Sequence, residues 1–270
     1  MRCNMRCNMW KTQWFFAGAV ILSLLIAVPS PGQPQRGGRW DAEIQQVVQA
    51  ELAKNDRLRD VRVAVDDGIV TLEGSVELYR DKLNAEKKAR HKEHVAGVLN
   101  RLEVRSMVED ATLRETLADK LRYDRIGYGI MFNNLTLEVK DGVVTVGGNV
   151  RDEPDHASAI AIIEGTKGVK DIVDEIKVAP VSIFDDEIRV RAARAIYGDP
   201  VLGKYAIDPQ APIRIVVENG RITLYGVVLN NMDRQIAEMR ARGVSGAFSV
   251  ENRLIVAGSG KSKSAPKKSQ

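Results

Sequence analysis

The feature that most constrains this fold is a ten-residue pattern carried three times. It reads Asp67-Gly68-Ile69-Val70-Thr71-Leu72-Glu73-Gly74-Ser75-Val76, then Asp141-Gly142-Val143-Val144-Thr145-Val146-Gly147-Gly148-Asn149-Val150, then Asn219-Gly220-Arg221-Ile222-Thr223-Leu224-Tyr225-Gly226-Val227-Val228. Each copy has a turn glycine, a Thr three residues on, a second glycine six residues on, and apolar residues at two, four and eight. The turn glycines Gly68, Gly142 and Gly220 are 74 and 78 residues apart. Such a period marks tandem supersecondary units, each unable to bury much alone.

An Asp-Gly or Asn-Gly pair between alternating apolar residues predicts a two-residue hairpin, because that turn needs positive φ. Upstream, Val61, Val63 and Val65 alternate, as do Leu135, Leu137 and Val139, and Ile213, Ile215 and Val217. Period-two alternation puts one face of each hairpin in a core. The second glycines, Gly74, Gly148 and Gly226, predict a bend or close backbone approach where the strand leaves the sheet. Eleven residues later come Ala85, Ala159 and Ala237, with Ala89, Ile163 and Ala241 one helical turn on. A last strand follows: Val98, Asn100, Leu102, Val104; Ile172, Asp174, Ile176, Val178; Val250, Asn252, Leu254, Val256. An apolar helical stripe precedes each hairpin: Ile44, Val48, Leu52; Leu113, Leu117, Leu121; Ile188, Ala192, Ile196. The fold class is therefore α+β: three tandem α-β-β-α-β modules, each a three-stranded sheet with two helices on one face.

The pattern G-x-V-x-L-x-G-x-V, here Gly68, Val70, Leu72, Gly74 and Val76, and the closing V-x-N-x-L-x-V, here Val98, Asn100, Leu102 and Val104, resemble the BON domain family of bacterial envelope proteins. Module 3 repeats both, and module 2 has Asp174 in place of the family's Asn. A D-P-x-L element is intact at Asp199-Pro200-Val201-Leu202 and reduced to Asp56-Arg57-Leu58 and Asp124-Arg125-Ile126. The resemblance implies an exported protein that binds phospholipid membranes or other envelope components, without catalysis.

The segments assigned are 1–32 as signal peptide or N-terminal membrane anchor, 33–40 as linker, 41–106, 107–180 and 181–257 as modules, and 258–270 as a disordered basic tail. In the leader, Arg2, Arg6 and Lys11 precede an apolar run from Trp14 to Val28. Fifteen residues suit a signal-peptide core and are short for a span of about 20. Both cysteines, Cys3 and Cys7, lie there, so the modules need no disulfide. The leader carries three positive charges and Lys261, Lys263, Lys267 and Lys268 four more; taken from a net +4, these leave the body near −3. That distribution argues against a nucleic-acid reader, whose folded surface carries the positive charge.

No catalytic motif is present: no nucleophile elbow, no Walker loop, and no pair of acidic residues recurring at equivalent places. His91 and His94 are three apart but lack further ligands, so neither a metal nor a cofactor is expected. Candidate contact residues are Lys82, Lys87, Lys88 and Arg90, either a face for anionic headgroups or a plain solvated helix face. The lengthened connections offer Tyr128, Met131 and Phe132, as a wedge or as a loop folded over its own core or onto module 1, and Tyr197 and Tyr205. The expected partner is an anionic phospholipid surface or an envelope protein, and the expected location the periplasm or the periplasmic face of a bacterial membrane.

Overall fold

The computed structural model describes residues 38–105, 107–123, 131–207 and 212–258. Module 1 comprises α1 (Asp41–Ala53), β1 (Arg62–Asp66), β2 (Ile69–Val76), α2 (Tyr79–Arg90) and β3 (Gly97–Val104). Module 2 repeats this as α3 (Asp110–Tyr123), β4 (Asn134–Lys140), β5 (Val143–Val150), α4 (Glu153–Glu164) and β6 (Asp171–Val178). Module 3 has α5 (Ile183–Tyr197), β7 (Ile213–Glu218), β8 (Arg221–Val228) and α6 (Asn231–Arg242); its third strand comes in two pieces, β9 (Ser249–Asn252) and β10 (Ile255–Val256). In every module the second strand is central, antiparallel to the first and parallel to the last. The α2, α4 and α6 helices are the crossovers that this parallel pairing requires.

The turns are as expected. Asp67, Asp141 and Asn219 have φ of 51°, 54° and 50°, followed by Gly68, Gly142 and Gly220 at 78°, 81° and 73°. Both central residues at positive φ give the twist that suits a two-residue hairpin. The second glycines show the expected close backbone approach but not the expected exit from the sheet. The strand does not leave the sheet there, because β2, β5 and β8 each run two residues further, paired to the last strand. Instead the first strand crosses close: a Cβ on Gly148 or Gly226 would collide with the carbonyl of Asn134 or Pro212.

The apolar stripes become three cores on one face of each sheet. Leu58 and Leu202 are fully buried plugs over the cores of modules 1 and 3. Asp199 holds its plug by accepting from the amides of Val201 (2.8 Å) and Leu202 (3.3 Å). In module 1 that work falls to Asn55, whose side chain accepts from Arg57 N at 3.1 Å. Asp56 is one residue too late, so the module-1 element is Asn55-Asp56-Arg57-Leu58. Among the described residues no helix is long and apolar enough to cross a membrane.

The modules are joined in two ways. Between modules 1 and 2 the contacts are mainly polar. The Arg80 guanidinium donates to Ala161 O, Lys167 pairs with Glu77 at 3.6 Å, and the Tyr79 ring sits between the two cores. Burial and a hydrogen bond to Asp171 push the Tyr79 hydroxyl up to about 12, so it stays a neutral donor. Between modules 2 and 3 the joint is apolar. Phe132, only 7% exposed, enters the module-3 core cluster with Met131 beside it.

Candidate functional site

Two carboxylates recur at equivalent positions, which corrects the reading that no acidic pair does. The first is Asp41, Asp110 and Asp185, in the first turn of each module's first helix. Asp185 accepts from Asn219 N at 2.9 Å and Gly220 N at 2.7 Å. Asp110 does the same for Asp141 and Gly142, and Asp41 for Asp67 and Gly68. Asp41 is thus the first residue of α1 rather than its N-cap, which is Trp40. Burial raises the Asp41 carboxyl, but the Gly68, Asp67 and Gly38 amides outweigh it and hold the group below its ordinary value. These carboxylates are clamps that tie helix to hairpin.

The second set is Asp81, Asp155 and Asp233, all buried and each seven residues after the second glycine. Asp233 accepts from Tyr205 OH at 2.5 Å and pairs with Lys204 Nζ at 2.7 Å. Burial pushes its carboxyl up, but these two donors more than offset that and hold it low. Among the described residues Asp81 forms an ion pair with Arg57 alone, at 3.9 Å, and its Oδ2 has no hydrogen-bond partner there. There burial wins and the carboxyl is raised.

The predicted contact residues fare unequally. Tyr205 is buried in the core, its hydroxyl pushed up to about 12 by burial and Asp233; it accepts from Leu229 N at 2.8 Å. Tyr197 is half-buried and donates to Ile213 O at 2.6 Å. Phe132 and Met131 pack on module 3 rather than on their own core or module 1. Phe132 and Tyr205 are therefore buried packing groups, and Met131 and Tyr197 are partly buried against the same core. Tyr128 lies outside the described residues, as do the leader and residues 259–270.

On α2, much of the positive charge is already paired. Lys88 and Lys92, with Lys54, converge on Glu51 at 3.2, 3.0 and 2.9 Å. Their hydrogen bonds, Lys54 first, hold the Glu51 carboxyl down to about 2. Arg90 pairs with Glu86. Among the described residues Lys82 and Lys87 have no ion pair, so two cations of the four remain uncompensated. His91 and His94 form no metal cluster with other described residues; His94 stacks on Trp40 with centroids 4.3 Å apart.

Module 3 presents a surface that the other two modules lack. Val227, Leu229, Met232 and Ile255 are each half-exposed or more, at the end of β8 remote from its hairpin turn. Val227 and Ile255 are register partners, and Ala257 N donates to Val228 O at 2.7 Å. The last described residues therefore lie beside this patch, and Lys261, Lys263, Lys267 and Lys268 follow in the sequence. At the same register positions module 1 has Ser75, Glu77, Arg80 and Glu103, and module 2 has Asn149, Arg151, Pro154 and Lys177. In module 1, Glu77 and Arg80 are joint residues. The signal was in the sequence: four apolar residues where both other copies are polar or carry proline.

One cleft of about 340 Å³ between modules 2 and 3 is lined by Arg114, Arg122, Leu135 and Asp155 of module 2 and by Arg214 of module 3, among others.

Comparison with known proteins gives a consistent result. A family model described as BON domain matches residues 41–106, 109–180 and 185–258. Osmotically-inducible protein Y of Escherichia coli (strain K12) is 29% identical over 147 residues, covering 51% of this chain and 72% of that protein. An uncharacterized protein in the gshII 5' region of Anaplasma centrale is 27% identical over 143 residues, covering 51% of this chain and 93% of that one. Among solved structures, the C-terminal domain of CdsD, a structural protein of the type III secretion system of Chlamydia trachomatis, covers 78% of this chain and 96% of its own at 12% identity, with a TM-score of 0.23. A second CdsD structure covers 80% and 94% at 14% identity, with a TM-score of 0.22. TM-scores this low say nothing of how the three modules are arranged.

Proposed function

Since the chain belongs to the BON domain family, whose model matches all three modules, we propose that it is an exported, non-catalytic protein of the bacterial envelope that associates with phospholipid membrane surfaces. One observation carries the membrane contact: the exposed apolar end of module 3, beside the last described residues and followed in the sequence by a lysine-rich segment. An apolar patch alone gives weak, reversible attachment, and a few basic residues near an anionic surface add on the order of 1 kcal/mol each. Together they supply two signals at one place. The partly neutralised face of α2 is an auxiliary contact through Lys82 and Lys87. The leader, with basic residues before its apolar run, supports export.

Vesicle co-sedimentation tests this reading, using anionic and neutral liposomes at low and moderate salt, with a matched chain ending at Gly258. The expected result is binding to anionic vesicles that weakens as salt rises and with loss of the tail, leaving a residue from the apolar patch. Absence of binding to either vesicle type by the whole chain contradicts it. The second reading is a protein-interaction scaffold, favoured by the exposed Val181, Ile183, Phe184 and Phe248 at the opposite end of module 3.

A further inference from the structure

At the hairpin-turn end of each module the same groove recurs. Its floor is the turn glycine and a positive-φ residue twenty positions after the second glycine: His94, Gly168 and Gly246, with φ of 63°, 106° and 92°. In each module an amide of the following loop donates to the turn glycine carbonyl, from Ala96, Lys170 and Phe248.

Modules 1 and 2 fill this groove with the segment just before their first helix. Trp40, one residue before the clamp Asp41, stacks on His94 at 4.3 Å and 7°. Val108, two residues before Asp110, packs over Gly168; a Cβ there would lie 3.0 Å from Val108 Cβ. Val108 also packs against the module-2 core.

Module 3 does not fill it from the same segment. Ser182 caps α5 by accepting from Asp185 N at 3.2 Å, so the helix begins two residues before the clamp. Ile183 and Phe184 are thereby wound into α5 and face solvent, Phe184 at 80% exposure. What remains is a cleft of about 420 Å³ lined by Phe184, Ile188, Arg191, Gly220, Gly246 and Phe248. The nearest atoms that a Cβ on Gly246 would meet are side-chain atoms of Arg191 and Ile188, at 3.5 Å or more. Phe248 stands over Gly220 at 88% exposure, and Val181 is also bare.

We propose that this cleft takes Ile183 and Phe184 of a second copy of the chain, in a twofold-symmetric contact. The filling side chain and the empty groove sit side by side on the same turn of α5. That is the arrangement a twofold interface needs, since one patch must complement itself. The rim is electrically balanced, with Arg191 paired to Glu187 and the Asp185 carboxylate bound to two amides, so like charges do not oppose the contact. Val181, Ile183, Phe184 and Phe248 expose roughly 600 Å² per copy, taking about 200 Å² for each aromatic. Two copies would bury roughly 1,200 Å², the lower limit of a stable interface, so the dimer is expected to be reversible. This inference is independent of the membrane reading, which uses the other end of β8.

Sedimentation equilibrium of the purified chain tests it, from about 1 to 300 μM, a range suited to an interface this small. The chain should pass from monomer to dimer across that range. Phe184→Asp and Ile183→Asp should stay monomeric, and Leu229→Asp should dimerise as the parent does. Both α5 positions are solvent-exposed, so circular dichroism should show the variants folded. A parent that is monomeric throughout overturns the proposal. So does a dimer that survives Phe184→Asp, or one that Leu229→Asp dissolves. A monomer in which Phe184→Asp instead abolishes vesicle binding overturns it too and assigns the cleft to lipid.

Discussion

A single carboxylate decides whether each hairpin is held to its helix. Asp185 bonds two turn amides and is almost fully buried. Removing it as Asp185→Ala leaves both donors without their acceptor and should cost about 3 kcal/mol, read as a fall in the urea midpoint. The helix-2 carboxylates make an opposite pair. Asp81 has its carboxyl raised by burial, whereas Asp233 is held low because Lys204 and Tyr205 overcome burial. A group raised on folding contributes stability below its unfolded value, near 3.9, and loses it as pH rises through the folded value. A group lowered on folding contributes above the unfolded value and loses that as pH falls. Asp81→Asn should therefore stabilise at pH 7, the gain fading as pH falls toward 4. Asp233→Asn should destabilise at pH 7, that loss also fading in acid. Unfolding curves at both pH values check both signs. Module 2 shows a paired exchange at the same scale. Asn100 and Asn252 donate to the carbonyls of Lys82 and Arg234 and to Glu86 and Glu238. Asp174 cannot donate, and it instead meets the His156 ring at 2.7 Å, with Ile160 in place of the glutamate.

At the scale of elements, the modules were legible and their joints were not. Hairpins, helices and cores follow from alternation and from Gly68, Gly142 and Gly220, because these are local rules repeated three times. The destination of Phe132 is a long-range fact. Its loop reads equally well as a wedge or as a lid, and only the packing places its ring in the module-3 core. Tyr205 misleads for a related reason: an aromatic in a long loop looks exposed until Asp233 and Leu229 N supply partners for its hydroxyl. The Asp clamps are not legible in the sequence because they are 27, 32 and 35 residues from their turn glycines. The module-3 patch was readable by comparing copies position by position. Phe132→Ala should cost about 3 kcal/mol and uncouple modules 2 and 3. Calorimetry should then show a broadened or divided transition, while Arg80→Ala, at the polar joint, should shift it less.

For the whole molecule, the three copies keep one architecture while their surfaces diverge. Module 1 spends its helix-2 entry on docking module 2 through Glu77 and Arg80. Module 3 has Leu229 and Met232 at those places, both exposed, and four lysines follow the module in the sequence. In the proposed function this end of module 3 meets the membrane. The most direct measurement compares binding to anionic vesicles by the parent, by Leu229→Asp/Met232→Asp and by Lys87→Glu. Burial of a Leu or Met side chain contributes about 1.5–3 kcal/mol, so the double variant should bind at least tenfold more weakly. Lys87→Glu, distant from the patch, should change binding by less than about threefold at moderate salt. Full binding by the double variant, with loss in Lys87→Glu, would contradict the claim and move the contact to α2.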